Sequence, residues 1–242
     1  MCLQFNSPES LHTQLKQKLK KKIYKGVYQK KIPSERELME EYNVSRTTVR
    51  FAVSSLVSEG VLTKSHGRGT FISTTPVQDW LGTFQSFTET IKKTGKTPGS
   101  QLLFKGVIHD FTKVESRLGI KKIYLIERLR FADQIPIAIE KHYFPENIGK
   151  KLEKYDLDTA VIYDLLEKEL GLSLWRAKQS ITSSIVMEND AKNLNISNRS
   201  SVLMSERIIF DSKGHPIEFL NSIFRPDMFS FNVEMKRSQE NE

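Results

Sequence analysis

The run Ser45-Arg46-Thr47-Thr48, followed by Arg50, has side chains suited to binding a polyanion. Guanidinium and hydroxyl groups donate hydrogen bonds to phosphate oxygens and, in the grooves of a duplex, to the edges of bases. Arg46 has the reach for either partner, so a guanine edge and a phosphate both remain open. The simpler alternative is a solvated helix that carries two ordinary arginines.

A second pair of cationic side chains, Arg128 and Arg130, lies two residues apart in a β-prone segment. Alternation along a strand predicts that both guanidinium groups face the same way. Such a pair is self-repelling unless an anion or carboxylates lie between its members. The pair therefore indicates a site for a small anion, and the alternative is internal neutralisation by Glu127, Glu140 or Glu218.

The first of these clusters must be positioned by helices. Leu15, Leu19 and Ile23 recur every fourth residue and predict an otherwise basic helix that begins at Leu11 and stops at Gly26. A second helix begins at Ser34, which forms a capping box with the residue three positions later. Its inner face is formed by Leu38, Met39 and Tyr42.

The third helix has Ser45 as its predicted N-cap and separates two kinds of side chain. At about 100° per residue, its apolar side clusters Val49, Ala52, Val53 and Leu56. Thr47, Arg50 and Ser54 gather on the outer side, with Arg46 and Thr48 at the margins. Two helices joined by a short turn, the second presenting Arg and Thr, match a helix that enters the major groove.

The segment GVLTKSHGRGTFIS predicts a β-hairpin after the third helix. Its strands are Val61 to Lys64 and Thr70 to Ser73, and its turn is rich in glycine and positive charge. Gly67 and Gly69 allow the backbone to approach a narrow groove or a phosphate, and Arg68 adds charge there. An ordinary surface hairpin is the alternative.

Charge is concentrated in the same part of the chain. Residues 1 to 73 contain 13 Lys and Arg residues and 6 Asp and Glu residues. Residues 74 to 242 contain 24 Lys and Arg residues and 23 Asp and Glu residues, so the first 73 residues carry most of the chain's net charge of +8. This asymmetry favours a polyanion-binding module followed by a nearly neutral one. The lysines Lys18, Lys20, Lys21 and Lys22 have a plainer explanation as a solvated helix face.

A reducing compartment and no membrane are expected. The single cysteine, Cys2, cannot form an internal disulfide. No uncharged apolar run approaches the ~18 residues of a transmembrane helix, and the first ten residues do not resemble a secretory signal. We expect a cytoplasmic protein.

The stretch from Pro33 to Ser73, PSERELMEEYNVSRTTVRFAVSSLVSEGVLTKSHGRGTFIS, resembles the winged helix-turn-helix of the GntR family of bacterial transcription regulators. The resemblance implies that Arg36 touches phosphate, that Arg46 and Thr48 work at the groove, that Arg50 supports the backbone contact, and that Gly67 enters the minor groove. The predicted DNA-binding residues are Ser34, Arg36, Ser45, Arg46, Thr47, Thr48, Arg50, His66, Gly67 and Arg68.

Beyond a predicted linker, residues 74–79, the chain repeats itself. Leu125–Glu140 and Leu203–Phe219 share the order Glu-Arg, Phe, polar turn, Pro-Ile and Glu, and each follows a helix-like segment. Two copies of helix, strand, hairpin and strand predict an antiparallel sheet with helices against it. A further helix, Val161 to Leu170, separates the copies. The fold class is α+β, with residues 1–73 as the winged module and residues 80–242 as the second domain.

The second domain, from about Trp80 to Phe231, resembles the UTRA effector-binding domain of the HutC subfamily, whose fold is shared with chorismate lyase. The motifs are FTETIKKTGKTPGS, IERLRFADQIPIAIE, VIYDLLEKELG and ERIIFDSKGHPIEF. In the aminosugar-phosphate regulators that it resembles, matching positions line the pocket, with the arginines at the phosphate. The implied effector-binding residues are Phe87, Thr88, Arg128, Arg130, Glu140, Tyr163, Glu218 and Phe224.

Two residues depart from that pattern. Val161 stands where those regulators have serine, and Phe224 where they have tyrosine, so one phosphate contact and one hydroxyl are missing. A phosphorylated sugar remains one candidate effector, and another small anion or a sugar of different shape is the alternative.

Catalysis is not indicated. The five histidines show no metal-ligand spacing, and the chain has neither a nucleophile elbow nor a P-loop. Glu140 and Glu218 are candidates for an acid–base pair, but a structural or ligand-binding role fits their place after Pro-Ile better. We expect no enzyme activity, no metal and no cofactor.

Two functions remain. One is a ligand-responsive transcription regulator, a repressor released from its operator by a small molecule such as a sugar phosphate; in some family members the ligand instead promotes DNA binding. The other is a constitutive DNA-binding protein whose second domain only dimerises. In either case we expect a homodimer on an inverted repeat of double-stranded DNA.

Overall fold

The computed structural model describes residues 3–4, 7–24, 27–28, 30–59, 61–65, 67–73, 76–109, 112–119 and 121–235. The chain separates into two compact units, Met1–Thr75 and Pro76–Glu242. His66, one of the predicted DNA-binding residues, lies outside the described residues.

The first unit contains three helices, α1 (Leu11–Tyr24), α2 (Glu35–Tyr42) and α3 (Arg46–Ser58). The predicted apolar stripe of α1 is confirmed, because Leu15, Leu19 and Ile23 are buried together with the inner faces of α2 and α3. A helix of this length is marginal in isolation, so burial of one stripe supplies most of its stability.

Local side-chain chemistry sets the ends of α2 and α3. Ser34 and Glu37 form the predicted capping box, in which each side chain binds the other residue's backbone amide. Asn43 ends α2 in the left-handed region, at φ +50°, and Ser45 caps α3 by accepting from the Thr48 amide. These caps fix the short turn between the two helices.

The hairpin of the first unit consists of β1 (Leu62–Ser65) and β2 (Gly69–Ile72), paired antiparallel. Both strands lie within one residue of the predicted runs. Gly67 has φ +68° in the turn, a conformation that favours glycine.

The second unit is built on a six-stranded antiparallel sheet. Its strands, in spatial order, are β4 (Pro98–Ile108), β5 (Ile123–Ala132), β6 (Ile135–Pro145), β9 (Pro216–Phe224), β8 (Ser201–Phe210) and β7 (Arg176–Ile185). The strand β7 therefore lies at one edge.

The internal repeat predicted from the sequence is confirmed by this topology. Helix α5 (Thr112–Leu118) precedes the hairpin β5–β6, and helix α8 (Glu188–Leu194) precedes the hairpin β8–β9. The two hairpins meet where β6 pairs with β9 at the centre of the sheet. The equivalent strands β5 and β8 thus flank the central pair.

Helices cover both faces of the sheet. On one face, α5 and α8 pack against the sheet through side chains such as Val114 and Leu194. The other face is covered by α4 (Phe87–Lys93), α6 (Glu146–Leu152) and α7 (Ile162–Asp164). No helix within the described ranges is long and apolar enough to cross a bilayer.

Two segments differ from expectation. The predicted helix Val161 to Leu170 is one α-helical turn that continues as a π-helical turn, Leu165–Glu169. Residues 77–79, assigned to the linker, lie in β3 (Val77–Trp80), which pairs in parallel with β10 (Phe229–Asn232). Val77 is fully buried, so its apolar side chain belongs to the core of the second unit.

Candidate functional site

The outer face of α3 presents the side chains predicted to contact DNA. Arg46, Thr47 and Arg50 are exposed, while Thr48 is half-buried beside Ser45, whose hydroxyl lies 2.9 Å from that of Thr48. The opposite face of the helix is buried in the core of the first unit. Two polar, cationic turns of a well-anchored helix are therefore available to a ligand.

Three other predicted DNA contacts have different surroundings. Ser34 uses its hydroxyl in the capping box with Glu37. Arg36 is exposed and pairs with Glu40 at 3.0 Å, a surface ion pair that constrains its guanidinium weakly. Arg68 is exposed in the hairpin turn beside Gly67, where a side-chain carbon on that glycine would meet no atom within 4 Å.

Part of the positive charge of α1 is balanced within the first unit. Lys16 and Lys20 both lie 2.9 Å from Glu59, and Lys22 pairs with Glu41. Lys20 and Lys22 thus have carboxylate partners, which accounts for two of the lysines that the sequence left open as a solvated face.

The second unit contains a buried ionic cluster at the centre of its sheet. Arg128 and Arg130 on β5 are each 2% exposed, Glu140 and His142 on β6 are 5% and 2% exposed, and Glu218 on β9 is fully buried. The expectation that the two arginines share a face is confirmed. Burial of charged groups is costly unless they are paired or bind a ligand.

Glu140 lies between the two arginines. Its Oε2 atom is 3.8 Å from Arg128 Nη2 and 3.5 Å from Arg130 Nε. Burial alone would raise the pKa of Glu140, but Arg130, His142 and Arg128 together lower it to about 2. Burial, assisted by Arg130, lowers the pKa of Arg128 to about 9, which still leaves it charged at neutral pH.

Hydrogen bonding within this cluster is incomplete. Among the described residues, Arg128 Nε, Arg130 Nε and Glu218 Oε2 are buried without a hydrogen-bond partner. The Arg130–Glu140 and Arg128–Glu140 separations are ion-pair distances without a hydrogen bond. Neutralisation of the arginine pair by glutamate thus accounts for the charge of the two guanidinium groups. It leaves the two Nε donors without hydrogen-bond acceptors.

One terminal nitrogen of each arginine donates to a segment that covers the sheet. Arg130 Nη2 donates to Thr88 Oγ1 at 2.9 Å, and its guanidinium lies 4.5 Å from the centre of the Phe87 ring. Arg128 Nη1 donates to the carbonyl of Ala160 at 2.8 Å. The start of α4 and the residue before Val161 therefore close over the arginine pair.

His142 is a site residue that sequence reasoning missed. Its Nδ1 lies 2.7 Å from Glu218 Oε1, and its Nε2 lies 3.4 Å from both Glu140 Oε2 and Arg128 Nη2. The sequence feature that could have identified it is its position two residues after Glu140, because residues two apart on a strand lie on the same face.

Arg207 on β8 was missed in the same way. It donates to the Gln85 carbonyl at 3.0 Å and to Tyr163 Oη at 3.4 Å, and its Nε donates to Gln179. The internal repeat could have identified it, because Glu206-Arg207 occupies the position in the second copy that Glu127-Arg128 occupies in the first. Burial and the nearby Glu218 carboxylate raise the pKa of Tyr163, so its hydroxyl stays protonated.

In the part of the chain that the structure describes, two small cavities touch this cluster and a larger cleft lies next to it. A cavity of about 20 Å³ touches Arg128, Arg130, Glu140 and Tyr163. A second, also about 20 Å³, is lined by Ser205, Ser222 and Phe224, whose ring stacks on Phe229 at 4.2 Å. A cleft of about 720 Å³ opens beyond Tyr163 and Arg207.

The predicted effector residues therefore divide between cavities. Those around the arginine pair come together, whereas Phe224 lies in the second cavity, which shares Glu140 with the first. Among the described residues, no group of three or more His, Cys, Asp or Glu side chains is arranged to hold a metal ion.

Comparison with known proteins identifies both units. Residues 11–72 match the bacterial regulatory proteins of the gntR family, and residues 93–230 match the UTRA domain. The HTH-type transcriptional repressor NagR of Bacillus subtilis (strain 168) is 34% identical, over 98% of this chain and 99% of that protein. The probable fructoselysine utilization operon transcriptional repressor of Escherichia coli (strain K12) is 26% identical, over 96% and 97%.

A solved structure supports the same fold. The crystal structure of PhnF from Mycobacterium smegmatis is 23% identical in sequence and matches with a TM-score of 0.65, over 93% of this chain and 100% of that chain. Since the UTRA match spans more than half of the chain and NagR is related along nearly all of it, this chain belongs to the GntR family of bacterial transcription regulators, with a UTRA domain after its DNA-binding module.

Proposed function

We propose that the chain is a repressor whose binding to its operator is controlled by a small anionic effector bound at Arg128 and Arg130. The observation that carries this proposal is the buried arginine pair, whose two Nε atoms have no hydrogen-bond partner among the described residues. An anion with several oxygens would supply acceptors for these donors. In a purely structural ion pair, two buried donors without acceptors would only reduce stability.

The polar groups of this site match those of a phosphorylated sugar. The phosphate oxygens supply acceptors for the two unpartnered Nε donors, and Glu140, Glu218 and Tyr163 supply hydrogen-bonding partners for sugar hydroxyls. The name of the E. coli relative, which refers to fructoselysine utilization, supports a sugar derivative. Val161 offers no hydroxyl beside the arginines, so the phosphate is held by arginine and by Thr88.

The site must open to admit such a ligand. A cavity of about 20 Å³ holds roughly one water molecule. Entry of a sugar phosphate therefore requires displacement of the α4 start, which Thr88 and Phe87 attach to Arg130. This segment follows β3, the first strand after the boundary between the units, so its movement provides a route for coupling to the DNA-binding unit. Coupling of ~1 to 3 kcal/mol changes operator affinity about 5- to 150-fold.

We further propose that the first unit, Met1–Thr75, binds DNA and that the second unit, Pro76–Glu242, binds the effector and forms a homodimer. The edge strand β7 supports a second copy as its partner, because Gln179 to Ile185 carries no charge and is mostly exposed. Uncharged, exposed edge strands tend to pair with other strands. Pairing of two β7 strands would produce a two-fold dimer suited to an inverted repeat.

The experiment is a thermal-shift and operator-binding measurement on the full chain with phosphorylated and unphosphorylated sugars. A matching phosphorylated sugar at 100 times its Kd should stabilise the wild type by about 2.7 kcal/mol and weaken operator binding. Arg128→Gln should abolish both effects, whereas the exposed Arg199→Gln should retain them. If phosphorylated sugars change neither stability nor operator binding, or act equally on Arg128→Gln, the proposal fails and the constitutive DNA-binding alternative gains support.

A further inference from the structure

The cleft of about 720 Å³ lies entirely within the second unit, next to the arginine pair. It is formed by the segment after β3, the α7 turn and the edge strand β7. Its volume falls within the range of about 300 to 1,000 Å³ that is usual for small-molecule sites. The predicted set of effector residues includes only one of its lining side chains, Tyr163.

The cleft and the arginine cavity share a wall. Tyr163 and Arg207 line both spaces, and the Arg207–Tyr163 contact of 3.4 Å separates them. Arg207 also holds the Gln85 carbonyl, just before the α4 start that covers the arginine pair. When α4 moves to admit a ligand, the two spaces become adjacent compartments of one site.

The charge of the cleft differs from that of the arginine cavity. Its lining includes four carboxylates and two arginines, namely Asp79, Glu89, Asp164, Glu167, Arg176 and Arg207. Arg207 is already engaged by protein acceptors. A second anionic group is therefore disfavoured here, and a neutral or cationic group is favoured.

The cleft lining combines apolar side chains with a hydrogen-bond donor, a combination that suits a sugar ring. Two apolar side chains in its lining are exposed, Trp175 at 71% and Leu81 at 37%. Within the described part of the chain, Gln179 Nε2 is buried without a hydrogen-bond acceptor, and Arg207 holds the other end of that amide. A hydroxyl or carbonyl oxygen of a ligand would satisfy this donor while its ring packs on the indole.

We propose that this cleft is a second compartment of the effector site, and that the effector is a phosphorylated sugar derivative bearing a second, neutral or cationic polar unit, such as another sugar ring or an amino-acid moiety. The proposal rests on the proposed function, because the phosphate anchors at Arg128 and Arg130. It adds that a compact sugar phosphate fills only part of the site.

The test compares compact and extended probes on the full chain by isothermal titration calorimetry. Inorganic phosphate and glucosamine 6-phosphate are the compact probes, and trehalose 6-phosphate and fructoselysine 6-phosphate are the extended ones. At least one extended probe should bind about tenfold or more tightly than both compact probes, a difference of about 1.4 kcal/mol. In a Trp80→Phe background the extended probe should also change the fluorescence of Trp175, and the compact probes should not.

A cleft-blocking variant separates the compartments. Thr83 is exposed and lines the cleft, so Thr83→Trp should fill the space without disturbing the core. It should remove the advantage of the extended probe and leave the affinity of compact probes unchanged. Gln101→Trp is the matched control, because Gln101 is exposed on β4, at the opposite edge of the sheet from β7, and does not line the cleft.

The outcomes distinguish the two proposals. Binding of compact probes that depends on Arg128, with no tighter binding of either extended probe, overturns the second compartment and leaves the proposed function intact. The same conclusion follows if Thr83→Trp and Gln101→Trp bind the extended probe equally well. If none of the phosphorylated probes binds in an Arg128-dependent manner, the proposed function fails and the second compartment fails with it.

Discussion

His142 Nδ1 lies 2.7 Å from Oε1 of Glu218, across the central strand pair β6–β9. The Glu218 side chain is fully buried and that of His142 is 3% exposed. Because a carboxylate only accepts hydrogen bonds, the ring nitrogen donates. The histidine also contacts Glu140 and Arg128, so it joins the carboxylates of both hairpins to the arginine pair.

Replacing His142 with leucine should destabilise the second unit. The variant leaves Glu218 buried with neither carboxylate oxygen hydrogen-bonded, since its Oε2 already lacks a partner among the described residues. We expect a loss of about 2 to 3 kcal/mol in the free energy of unfolding, measured by urea denaturation.

The control is the double variant His142→Leu/Glu218→Leu. Removing both partners should recover part of the loss, because an apolar pair no longer carries an unpaired buried charge. Additive effects of the two single substitutions would show that the side chains are not coupled.

Glu140 should make stability depend on pH in the acidic range. Against the opposing effect of burial, Arg130, His142 and Arg128 lower its folded-state pKa from 4.5 to about 2. Ionised Glu140 therefore stabilises the fold above pH 4.5, and this contribution is lost as the pH falls from 4.5 towards 2. Its size is on the order of 3 kcal/mol.

The comparison between Glu140→Gln and wild type, by urea denaturation at several pH values, isolates this effect. The variant should lose less stability than wild type between pH 4.5 and 2, and the exposed Glu188→Gln should follow the wild type. Parallel curves for wild type and Glu140→Gln would contradict the coupling of Glu140 to the arginines.

Local rules predicted much of the architecture. The capping box at Ser34 and Glu37 and the N-cap at Ser45 depend on residues within one turn, so sequence alone located them. The common orientation of Arg128 and Arg130 follows from strand alternation and needs no tertiary information. The internal repeat predicted the two hairpins because the same order of strand residues and turn residues occurs in both copies.

Features that depend on distant contacts were missed. His142 joins the site through Glu218, 76 residues away, and Arg207 through Gln85, 122 residues away. The strand β3 pairs with the remote β10, a contact that the local sequence does not report. The resemblance to known regulators supplied Thr88 and Tyr163, and residue spacing alone would not have found them.

Arg46 should contribute to operator affinity without contributing to stability. Its side chain is exposed on α3, so Arg46→Ala should leave the unfolding free energy within about 0.5 kcal/mol of wild type. Specific binding should weaken by about 1 to 3 kcal/mol if the guanidinium reads a base.

The salt dependence of binding decides between the two partners of Arg46. Loss of a phosphate contact should reduce the slope of log affinity against log salt by about 0.9, and should weaken binding to all sequences alike. Loss of a base contact should relax specificity at one position. Arg199→Ala, exposed in the second unit, is the control. Wild-type operator affinity in Arg46→Ala would rule out the recognition-helix assignment.

Gly149 holds helix α6 against the sheet. A side-chain carbon at this position would overlap the Tyr124 side chain on β5. Since Tyr124 is itself buried, the overlap can be relieved only by moving the helix or the strand. Gly149→Ala should therefore cost about 1 to 3 kcal/mol despite alanine's better helix propensity. Lys150→Ala, on the solvent side of the same helix, should be nearly neutral in urea denaturation, and equal effects would refute this packing argument.

The edge strand β7 should control dimerisation. A lysine at Thr182, in the uncharged stretch of β7, would bring two like charges together if two copies pair along this edge. Thr182→Lys should raise the dimer dissociation constant about tenfold or more, measured by sedimentation velocity, because like charges across paired strands are destabilising. Gln101→Lys places the same charge on β4, the opposite edge of the sheet, and should leave the dissociation constant unchanged. If the two variants shift it equally, β7 is not the dimer interface.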